Sequence, residues 1–340
     1  MKLITFTVPC YNSQDYMSHC IDNLLTGGDE VEIIIVDDGS KDNTGKIADG
    51  YAEKYPDIVK VIHKENGGHG SGVNAGVHAA SGMYFKVVDS DDWLDTDALK
   101  KLIAKMKEHI AAGYAPDMYV TNFVYYHPSD HTQFVSEYTK KMKPGFIDWK
   151  RVKNFHFSHT MMMHALTYNT KTLREHYVDL PEHTFYVDNI LAYSPLPYML
   201  NAYYLNETLY YYLTGRDGQS VNIDTAISRY KQQITVMVTM CKSLTYDQIN
   251  ALPKGLRNYV FHYAIGVMMN TLMFACAKNT KERRVDVKNM WKEIKAADKK
   301  LYRKIKYRGY PLSCIILPWC IRGKIMRIAY NIILRKVRFG

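Results

Sequence analysis

Three carboxylates lie within four residues in Asp89-Ser90-Asp91-Asp92, the segment of this sequence best suited to chemistry. They follow the apolar run Met83–Val88, which predicts a buried strand, and they precede a helical pattern. Carboxylates this close repel one another, and burying them without partners costs free energy. A divalent cation such as Mg²⁺ or Mn²⁺ removes that cost, because hard cations bind carboxylate oxygens and the phosphate oxygens of a nucleotide. The alternative is a solvated acidic turn that caps a helix.

Alternating strand and helix patterns in the first half of the chain must position these carboxylates. Strands separated by helices of this length predict βαβ units and a mostly parallel sheet, which is an α/β fold. The candidate strands are Leu3–Val8, Val31–Val36, Ile58–His63, Met83–Val88 and Asp117–Tyr125, with helical patterns near 14–25, 43–55, 71–80 and 96–111. Two further strand-like runs, Tyr198–Leu205 and Thr208–Leu213, follow later in the chain. Ligands of such sheets bind beyond the carboxyl ends of the strands.

Polar, turn-forming residues recur at four successive strand ends. The segments are Pro9-Cys10-Tyr11-Asn12, Asp37-Asp38-Gly39-Ser40, Glu65-Asn66-Gly67-Gly68 and Asp89-Ser90-Asp91-Asp92. Because the carboxyl ends of parallel strands share one edge of a sheet, the four segments are expected to line a common ligand site.

Together with Asn74-Ala75-Gly76, these motifs in this order resemble family 2 glycosyltransferases of the GT-A fold, over about residues 3–95. The resemblance implies a Rossmann-like, mostly parallel sheet with flanking helices, followed here by a C-terminal helical region. It also implies a metal-dependent, inverting enzyme. Such an enzyme moves a hexosyl or N-acetylhexosaminyl group from a nucleotide-diphosphate sugar, with UDP as the expected nucleotide, to a glycan or lipid-linked acceptor of the cell envelope.

The resemblance also implies which residues bind the donor and the cation. Asp91 is the main ligand of Mn²⁺ or Mg²⁺, Asp89 faces the ribose or the metal, and Asp92 caps the following turn. Tyr11 offers a flat face for a base, Asp38 accepts from a base N–H, and Arg216 contacts phosphate. The expected donor-binding residues are Pro9, Tyr11, Asp38, Asn66, Gly68, Asn74, Asp89, Ser90 and Arg216. Val73 departs from the family, many of whose members have Arg at that position.

Inverting transfer needs a base that takes the proton of the acceptor hydroxyl. The resemblance points to Asp188 in Phe185-Tyr186-Val187-Asp188-Asn189, although Val187 replaces the Glu that often precedes this Asp. A plain helix N-cap is the alternative for Asp188, and Glu182 and Asp179 are the next candidates. The QxxRW motif of processive synthases is absent from the sequence, which favours an enzyme that adds a single sugar.

Four histidines, His156, His159, His164 and His183, follow no spacing of a recognised metal site. We therefore interpret them as a mixture of structural and acceptor-site residues.

The chain has 340 residues and a net charge of +10, but the charge is uneven. Residues 281–340 contain 18 Lys and Arg against 4 Asp and Glu, a balance of +14, so the remainder carries −4. Apolar residues at helical spacing in 322–339, flanked by Arg and Lys, favour a helix in an anionic membrane interface. A helix packed on the protein is the alternative. The stretch Tyr259–Ala277 is interpreted as a buried core helix.

From these features we predict a glycosyltransferase domain over residues 1–222, with a nucleotide-sugar half (1–95) and an acceptor half (96–222). A helical extension (223–310) and a basic amphipathic tail (311–340) follow. Six cysteines without a CxxC pair favour a reduced, cytoplasmic protein. The basic tail favours a peripheral location at the inner face of the cell membrane. No nucleic-acid recognition module is recognisable.

Two other functions stay open at this stage. A sugar nucleotidyltransferase would carry a Gly-rich, basic loop after the first strand, and Pro9-Cys10-Tyr11-Asn12 is neither. A non-catalytic, membrane-associated protein that binds nucleotide sugars is compatible with the departures at Val73 and Val187.

Overall fold

The structure, a computed structural model, describes residues 2–153, 155, 159–214 and 223–308, together with 311, 312, 316–319, 321, 322, 325 and 328. The chain divides into two compact units. The first comprises Met1–Asp148, Met161–His183 and Tyr198–Thr214. The second comprises Trp149–Thr160, Thr184–Pro197 and Gly215–Gly340. The predicted boundaries at residues 222 and 310 stay predictions. Arg216, His156 and most of the tail lie outside the described residues.

The strands of the described chain belong to the first unit. In chain order they are β1 (Ile4–Cys10), β2 (Val31–Asp37), β3 (Val59–His63), β4 (Tyr84–Val87), β5 (Trp93–Leu94), β6 (Met118–His127), β7 (Thr132–Ser136), β8 (Gly145–Phe146), β9 (Leu166–Asn169) and β10 (Ala202–Leu213). The β-branched and apolar residues of β1 and β2 are buried along their whole length, as expected for central strands covered on both faces.

These strands form one sheet in the order β3-β2-β1-β4-β9-β6-β10-β5, with β7 paired to β6 and β8 to β10. Strands β1 to β4 pair in parallel, and so do β6 and β10. Strand β9 runs antiparallel to both β4 and β6. The predicted α/β sheet is therefore confirmed, with β9 reversed between β4 and β6, and with β5, β7 and β8 antiparallel to the strands they pair with.

Helices connect the strands of the first unit: α1 (Met17–Leu25), α2 (Thr44–Lys54), α3 (His69–Ala79), α4 (Thr96–Ala111) and α5 (Thr170–Glu175). Helix α3 lies against β1 at two glycines. A Cβ at Gly76 would stand 2.2 Å from the Cγ2 and Oγ1 atoms of Thr7, and one at Gly72 would stand 3.0 Å from the Cβ of Pro9. Only hydrogen at these positions allows α3 to come this close to the strand.

One expectation about the strands is wrong. The runs 198–205 and 208–213 are not two strands but the single strand β10, whose pairing with β6 shifts register between Tyr204 and Tyr210. An irregularity inside one strand interrupts the sequence pattern in the same way as a turn between two strands.

The regular secondary structure described in the second unit consists of helices. Its helices are α6 (Asp188–Tyr193), α7 (Ile223–Ser228), α8 (Tyr230–Ser243), α9 (Tyr246–Ala251), α10 (Lys254–Cys276), α11 (Lys281–Ala297) and α12 (Lys299–Lys306). Among the described helices, α10 alone is long and apolar enough to cross a membrane, and 83% of its apolar 18-residue stretch is buried inside the protein. The interpretation of this segment as a core helix is confirmed.

Candidate active site

The turn after β1 and the acidic turn after β4 are joined by a serine. Strand β1 pairs in parallel with both β2 and β4, so their carboxyl ends lie at one edge of the sheet. The Ser13 Oγ lies 2.9 Å from the Oγ of Ser90 and accepts a hydrogen bond from the Tyr11 N–H (3.2 Å). The Ser13 N–H donates to Thr44 Oγ1 at the start of α2 (2.7 Å). Ser13 was not among the predicted site residues, because a lone serine after a strand carries no pattern.

Tyr11 and Pro9, both predicted to bind the donor, differ in their exposure. Tyr11 is 49% exposed, which leaves a ring available for stacking on a planar ligand. Pro9 is buried within β1 and faces Gly72 of α3. Its role in the structure is to pack the strand against the helix.

The Asp38 carboxylate holds the loop between β3 and α3. It accepts hydrogen bonds from the backbone N–H groups of Gly67 (2.9 Å) and Gly68 (2.7 Å) and from the Lys64 ammonium (2.9 Å). The Asn66 side chain donates to the Asp38 carbonyl (2.9 Å). Asp38 and Asn66 are therefore in contact, and much of the hydrogen-bonding capacity of Asp38 is used within the protein. The expected contact of both residues with the donor stays a prediction.

Glycine is required at position 68. Its φ is +83°, and a Cβ there would lie 3.1 Å from the backbone N of His183. Gly68 is the N-cap residue of α3, and the next residue, His69, contacts Asp89 of the acidic turn.

Asn74, inside α3, is committed to a neighbouring segment. Its Oδ1 accepts from the Leu180 N–H (2.9 Å) and the Tyr177 hydroxyl (2.7 Å), and its Nδ2 donates to the Leu180 carbonyl (3.0 Å). These contacts fasten residues 177–180 to α3. The expected contact of Asn74 with the donor stays a prediction.

Asp89 is paired with a histidine that was not predicted as a site residue. The Nε2 of His69, the first residue of α3, lies 2.7 Å from Asp89 Oδ1. Burial opposes ionisation of Asp89, but the imidazole and its hydrogen bond outweigh burial and lower the pKa of this carboxyl. Asp89 is therefore a carboxylate at neutral pH.

Asp92 is fully buried and tied to β10. It accepts hydrogen bonds from the Tyr210 hydroxyl (2.6 Å) and the Leu213 N–H (2.8 Å). Burial and the charge of Asp89 raise the pKa of Asp92 well above its ordinary value. The expected helix-capping role is wrong for Asp92, because Asp95 caps α4 by accepting from the N–H of Ala98 (2.8 Å).

His164 lies beside these carboxylates. One ligand atom from each of Asp89, Asp92 and His164 comes within 4.8 Å of the other two. The ring is 3% exposed and stacks on Tyr212 with a centroid distance of 4.4 Å. Burial lowers the pKa of His164 to about 4, so the imidazole is neutral. Neither ring nitrogen has a hydrogen-bond partner among the described residues.

These three groups fit a divalent cation. A half-buried and a fully buried carboxylate this close together are stabilised by a positive ion between them, and an imidazole without a partner can supply a nitrogen ligand. Asp91, predicted as the main ligand, is half-buried and is not one of the three. The sequence places His164 in a mixture of structural and acceptor-site histidines, since its distance of 75 residues from Asp89 gives no pattern.

A buried lysine fixes the backbone at His164. Lys86, in β4, is fully buried, and its ammonium donates to the carbonyls of His164 (2.6 Å) and Leu166 (3.2 Å). Burial lowers the pKa of Lys86 to about 7. The feature of the sequence that could have identified this role is a lysine inside an otherwise apolar strand.

Asp188 belongs to the second unit, where it is the first residue of α6. Val187 occupies the N-cap position, so Asp188 is not the N-cap residue itself. In the first unit, Glu182 accepts from the Ser71 hydroxyl (3.1 Å), and Asp179 pairs with His78 at the surface.

Comparison with known proteins covers most of the chain. The model of the family described as "Glycosyl transferase family 2" matches residues 5–169. An uncharacterized glycosyltransferase of Mycoplasma pneumoniae, the MG025 homolog, is 30% identical over 227 residues, which is 65% of this chain and 71% of that protein. Glycosyltransferase GlyG of Streptococcus pneumoniae is 36% identical over 131 residues, 38% of this chain. That match spans only 42% of GlyG.

Among solved structures, S. aureus TarS 1–349 superposes with a TM-score of 0.65 at 18% identity, covering 97% of this chain and 91% of that one. The same protein in complex with UDP-GlcNAc gives a TM-score of 0.64 at 18% identity over 97% of this chain and 92% of that chain. This likeness confirms the predicted fold class, a GT-A fold with a C-terminal helical region. With the acidic turn at the expected strand end and a relative matched over most of its length, the chain belongs to glycosyl transferase family 2.

Proposed function

We propose that the protein is a metal-dependent, inverting glycosyltransferase that uses a nucleotide-diphosphate sugar, with UDP as the nucleotide. The observation that carries the proposal is the Asp89–Asp92 turn at the end of β4, joined through Ser13 to the turn that bears the exposed Tyr11. A flat aromatic face and a carboxylate cluster at one sheet edge match the two ends of a nucleotide diphosphate.

The donor is proposed to bind along this edge. Tyr11 stacks on the base, and the loop Asn66–Gly68, shaped by Asp38, brings backbone close to the ligand. Ser90 and Asp89 lie at the ribose and diphosphate end. Arg216 and Asn74 are also proposed to bind the donor, because they match positions of the family motifs.

The cation, Mn²⁺ or Mg²⁺, is proposed to bind at Asp89 and Asp91. When bound, it neutralises charge on the departing diphosphate. His69 lowers the pKa of Asp89 and so keeps this ligand deprotonated without the ion.

The base is proposed to be Asp188. It accepts the proton of an acceptor hydroxyl as that oxygen bonds to the anomeric carbon, and the bond from this carbon to the diphosphate breaks, releasing the nucleoside diphosphate. Attack on the face opposite the leaving group inverts the anomeric configuration.

We propose a glycan or lipid-linked acceptor of the cell envelope, handled at the cytoplasmic face of the membrane. Ile316, Ile321, Ile325 and Ile328 are 71%, 46%, 40% and 61% exposed in a segment whose surroundings are strongly basic. Exposed apolar side chains among Arg and Lys suit an anionic bilayer surface.

The enzymatic proposal is tested by release of nucleoside diphosphate and transfer of sugar from UDP-GlcNAc, UDP-glucose, UDP-galactose and GDP-mannose, with Mn²⁺ or with EDTA. We expect turnover of a UDP-sugar that needs the metal. Asp91→Asn should reduce it by at least about a hundredfold, because metal ions stabilise transition-state charge by several kcal/mol. Asp97→Asn is the matched control, since Asp97 is exposed at the start of α4. Full activity of Asp91→Asn would refute the metal assignment.

The base is tested separately with Asp188→Asn and, for comparison, Glu182→Gln. We expect loss of transfer only in Asp188→Asn, with donor binding retained, and an NMR spectrum of the wild-type product with inverted anomeric configuration. Equal losses in both variants would refute the assignment to Asp188.

Membrane binding is tested by co-sedimentation of the full chain with vesicles that contain phosphatidylglycerol. Ile325→Glu with Ile328→Glu should reduce binding, whereas Ile325→Ala with Ile328→Ala should retain more of it. Equal binding by wild type and the Glu variant would refute the role of the tail.

A further inference from the structure

His164 is a buried polar side chain that the proposed function does not use. Both of its ring nitrogens are buried and lack a hydrogen-bond partner among the described residues. A buried polar group without a partner is destabilising, and such groups in folded proteins generally reflect a function or a missing ligand. Because the ring nitrogens offer one donor and one acceptor, the group that satisfies the acceptor must be a proton donor or a cation.

The packing around the ring determines where it can bind. Tyr212 stacks on one face (centroids 4.4 Å, interplanar angle 23°), Tyr210 meets the ring edge-on (4.7 Å), and Phe123 lies 5.4 Å away. The Lys86 ammonium holds the backbone carbonyl of the same residue. The imidazole is therefore pre-oriented and has little freedom to turn toward another partner.

A ligand atom of this ring lies within 4.8 Å of both the Asp89 and the Asp92 carboxylates. Two ligand atoms that each bind one ion at about 2.1 Å are about 3 Å apart at right angles and about 4 Å apart when opposite. Small side-chain movements would thus let the three groups share an ion. Tyr210, which donates to Asp92, connects the aromatic surroundings of the ring to the carboxylates.

We propose that His164 is a nitrogen ligand of the cation at the acidic turn, together with Asp89 and Asp92. The inference deepens the proposed function and rests on it for a cation at Asp89 and Asp91, to which it adds Asp92 and His164 as ligands from the interior. An imidazole ligand favours first-row transition ions over Mg²⁺. Mn²⁺, rather than Mg²⁺, is then the cation that this site selects.

The test uses the full chain with Mn²⁺ alone and with Mn²⁺ plus UDP. Pulsed electron paramagnetic resonance of bound Mn²⁺ detects a directly coordinated ¹⁴N nucleus, and protein labelled with ¹⁵N-histidine shows whether that nitrogen belongs to a histidine. We compare wild type, His164→Gln and His69→Gln, because His69 is the other imidazole near Asp89. Thermal melting of each variant reports whether it is folded.

We expect a histidine nitrogen signal in wild type and in His69→Gln, and no signal in folded His164→Gln. The Mn²⁺ dissociation constant should rise at least about tenfold in His164→Gln, since losing even an outer partner of a metal ligand costs that much. If His164→Gln does not fold, the proposal is tested with labelled wild type and labelled His69→Gln. A histidine nitrogen signal that survives in His69→Gln supports the proposal, and loss of the signal in that variant refutes it.

Three results would overturn the proposal: bound Mn²⁺ without a histidine nitrogen, a signal that persists in His164→Gln, or no Mn²⁺ binding with or without UDP. The sugar-transfer assay in EDTA separates these failures from failure of the proposed function. Transfer that continues in EDTA supports a glycosyltransferase that needs no metal, and it refutes only the metal proposals. Absence of transfer of any sugar under any condition refutes the enzymatic proposal itself.

Discussion

Substituting Gly76 by Ala should destabilise the first unit, because this glycine sets the distance between α3 and β1. The added Cβ would lie 2.2 Å from the Thr7 Cγ2 and Oγ1 atoms and 2.7 Å from Thr7 Cβ. Ordinary contact between such atoms is about 3.5–4.0 Å. The helix must therefore withdraw from the strand by roughly 1 Å or more, or Thr7 must be displaced within a tightly packed sheet.

The size of the effect is a difference of two terms. Overpacking a well-packed interior costs about 1–3 kcal/mol and occasionally more, and contacts this short belong at the upper end. Ala at a helix interior position is favoured over Gly by about 1 kcal/mol. We expect a net loss of about 2 kcal/mol in the free energy of unfolding, which lowers Tm by roughly 4–8 °C for a unit of this size.

Gly50→Ala is the matched control. Gly50 lies in α2, and no atom stands within 4 Å of a Cβ placed there. The same chemical change should therefore raise the free energy of unfolding by up to about 1 kcal/mol through helix propensity alone. Thermal and urea unfolding of both variants measures these two changes in the free energy of unfolding, which we expect to have opposite signs. Adding Thr7→Ala to Gly76→Ala removes the two atoms at 2.2 Å and should recover part of the loss, which a double-mutant cycle quantifies.

Withdrawal of α3 also has a functional consequence, since its first residue, His69, contacts Asp89. Gly76→Ala should weaken Mn²⁺ binding as well as lower Tm, whereas Gly50→Ala should leave Mn²⁺ binding unchanged. The reasoning about close packing is refuted if Gly76→Ala stabilises the protein as much as Gly50→Ala, or if Thr7→Ala fails to recover any stability.

Further predictions concern buried charges and the exposed ring. Burial opposes ionisation of Glu32, but hydrogen bonds from Lys60, Thr5 and Ser81 lower its pKa to about 2. Because the pKa of a Glu side chain in the unfolded chain is about 4.3, this stabilisation is present above about pH 5 and is lost as the pH falls toward about 2. Tm should therefore drop over that pH range, and less steeply in Glu32→Gln. Lys86→Met leaves the carbonyls of His164 and Leu166 without their donor and should cost about 2–4 kcal/mol in urea unfolding; an unchanged midpoint would contradict this role. Tyr11→Ala should weaken UDP binding by about tenfold or more in calorimetry while Tyr11→Phe retains it, and equal losses would argue against stacking.

Much of the parallel half of the sheet was predictable from local patterns. Strands β1 to β4 and helices α1 to α4 begin and end within three residues of the predicted bounds, because apolar periodicity and glycine-rich turns act over short distances. Strand β10 was misread, since a shift of pairing register depends on its neighbour β6 and not on its own residues. The role of Asp92 was misread for the same reason, because its partners Tyr210 and Leu213 lie about 120 residues away.

The sequence alone determined the edge of the sheet at which the candidate site forms, since the order of polar strand ends and the topology of βαβ units follow from local chemistry. Only the tertiary structure decided how its carboxylates are paired. Asp89 contacts His69 and lies near His164, and Asp92 is held by Tyr210. These partners come from α3, from the segment before β9 and from β10, and they meet because the sheet inserts β9 between β4 and β6. Contacts between segments so distant in the chain depend on packing that no local pattern encodes.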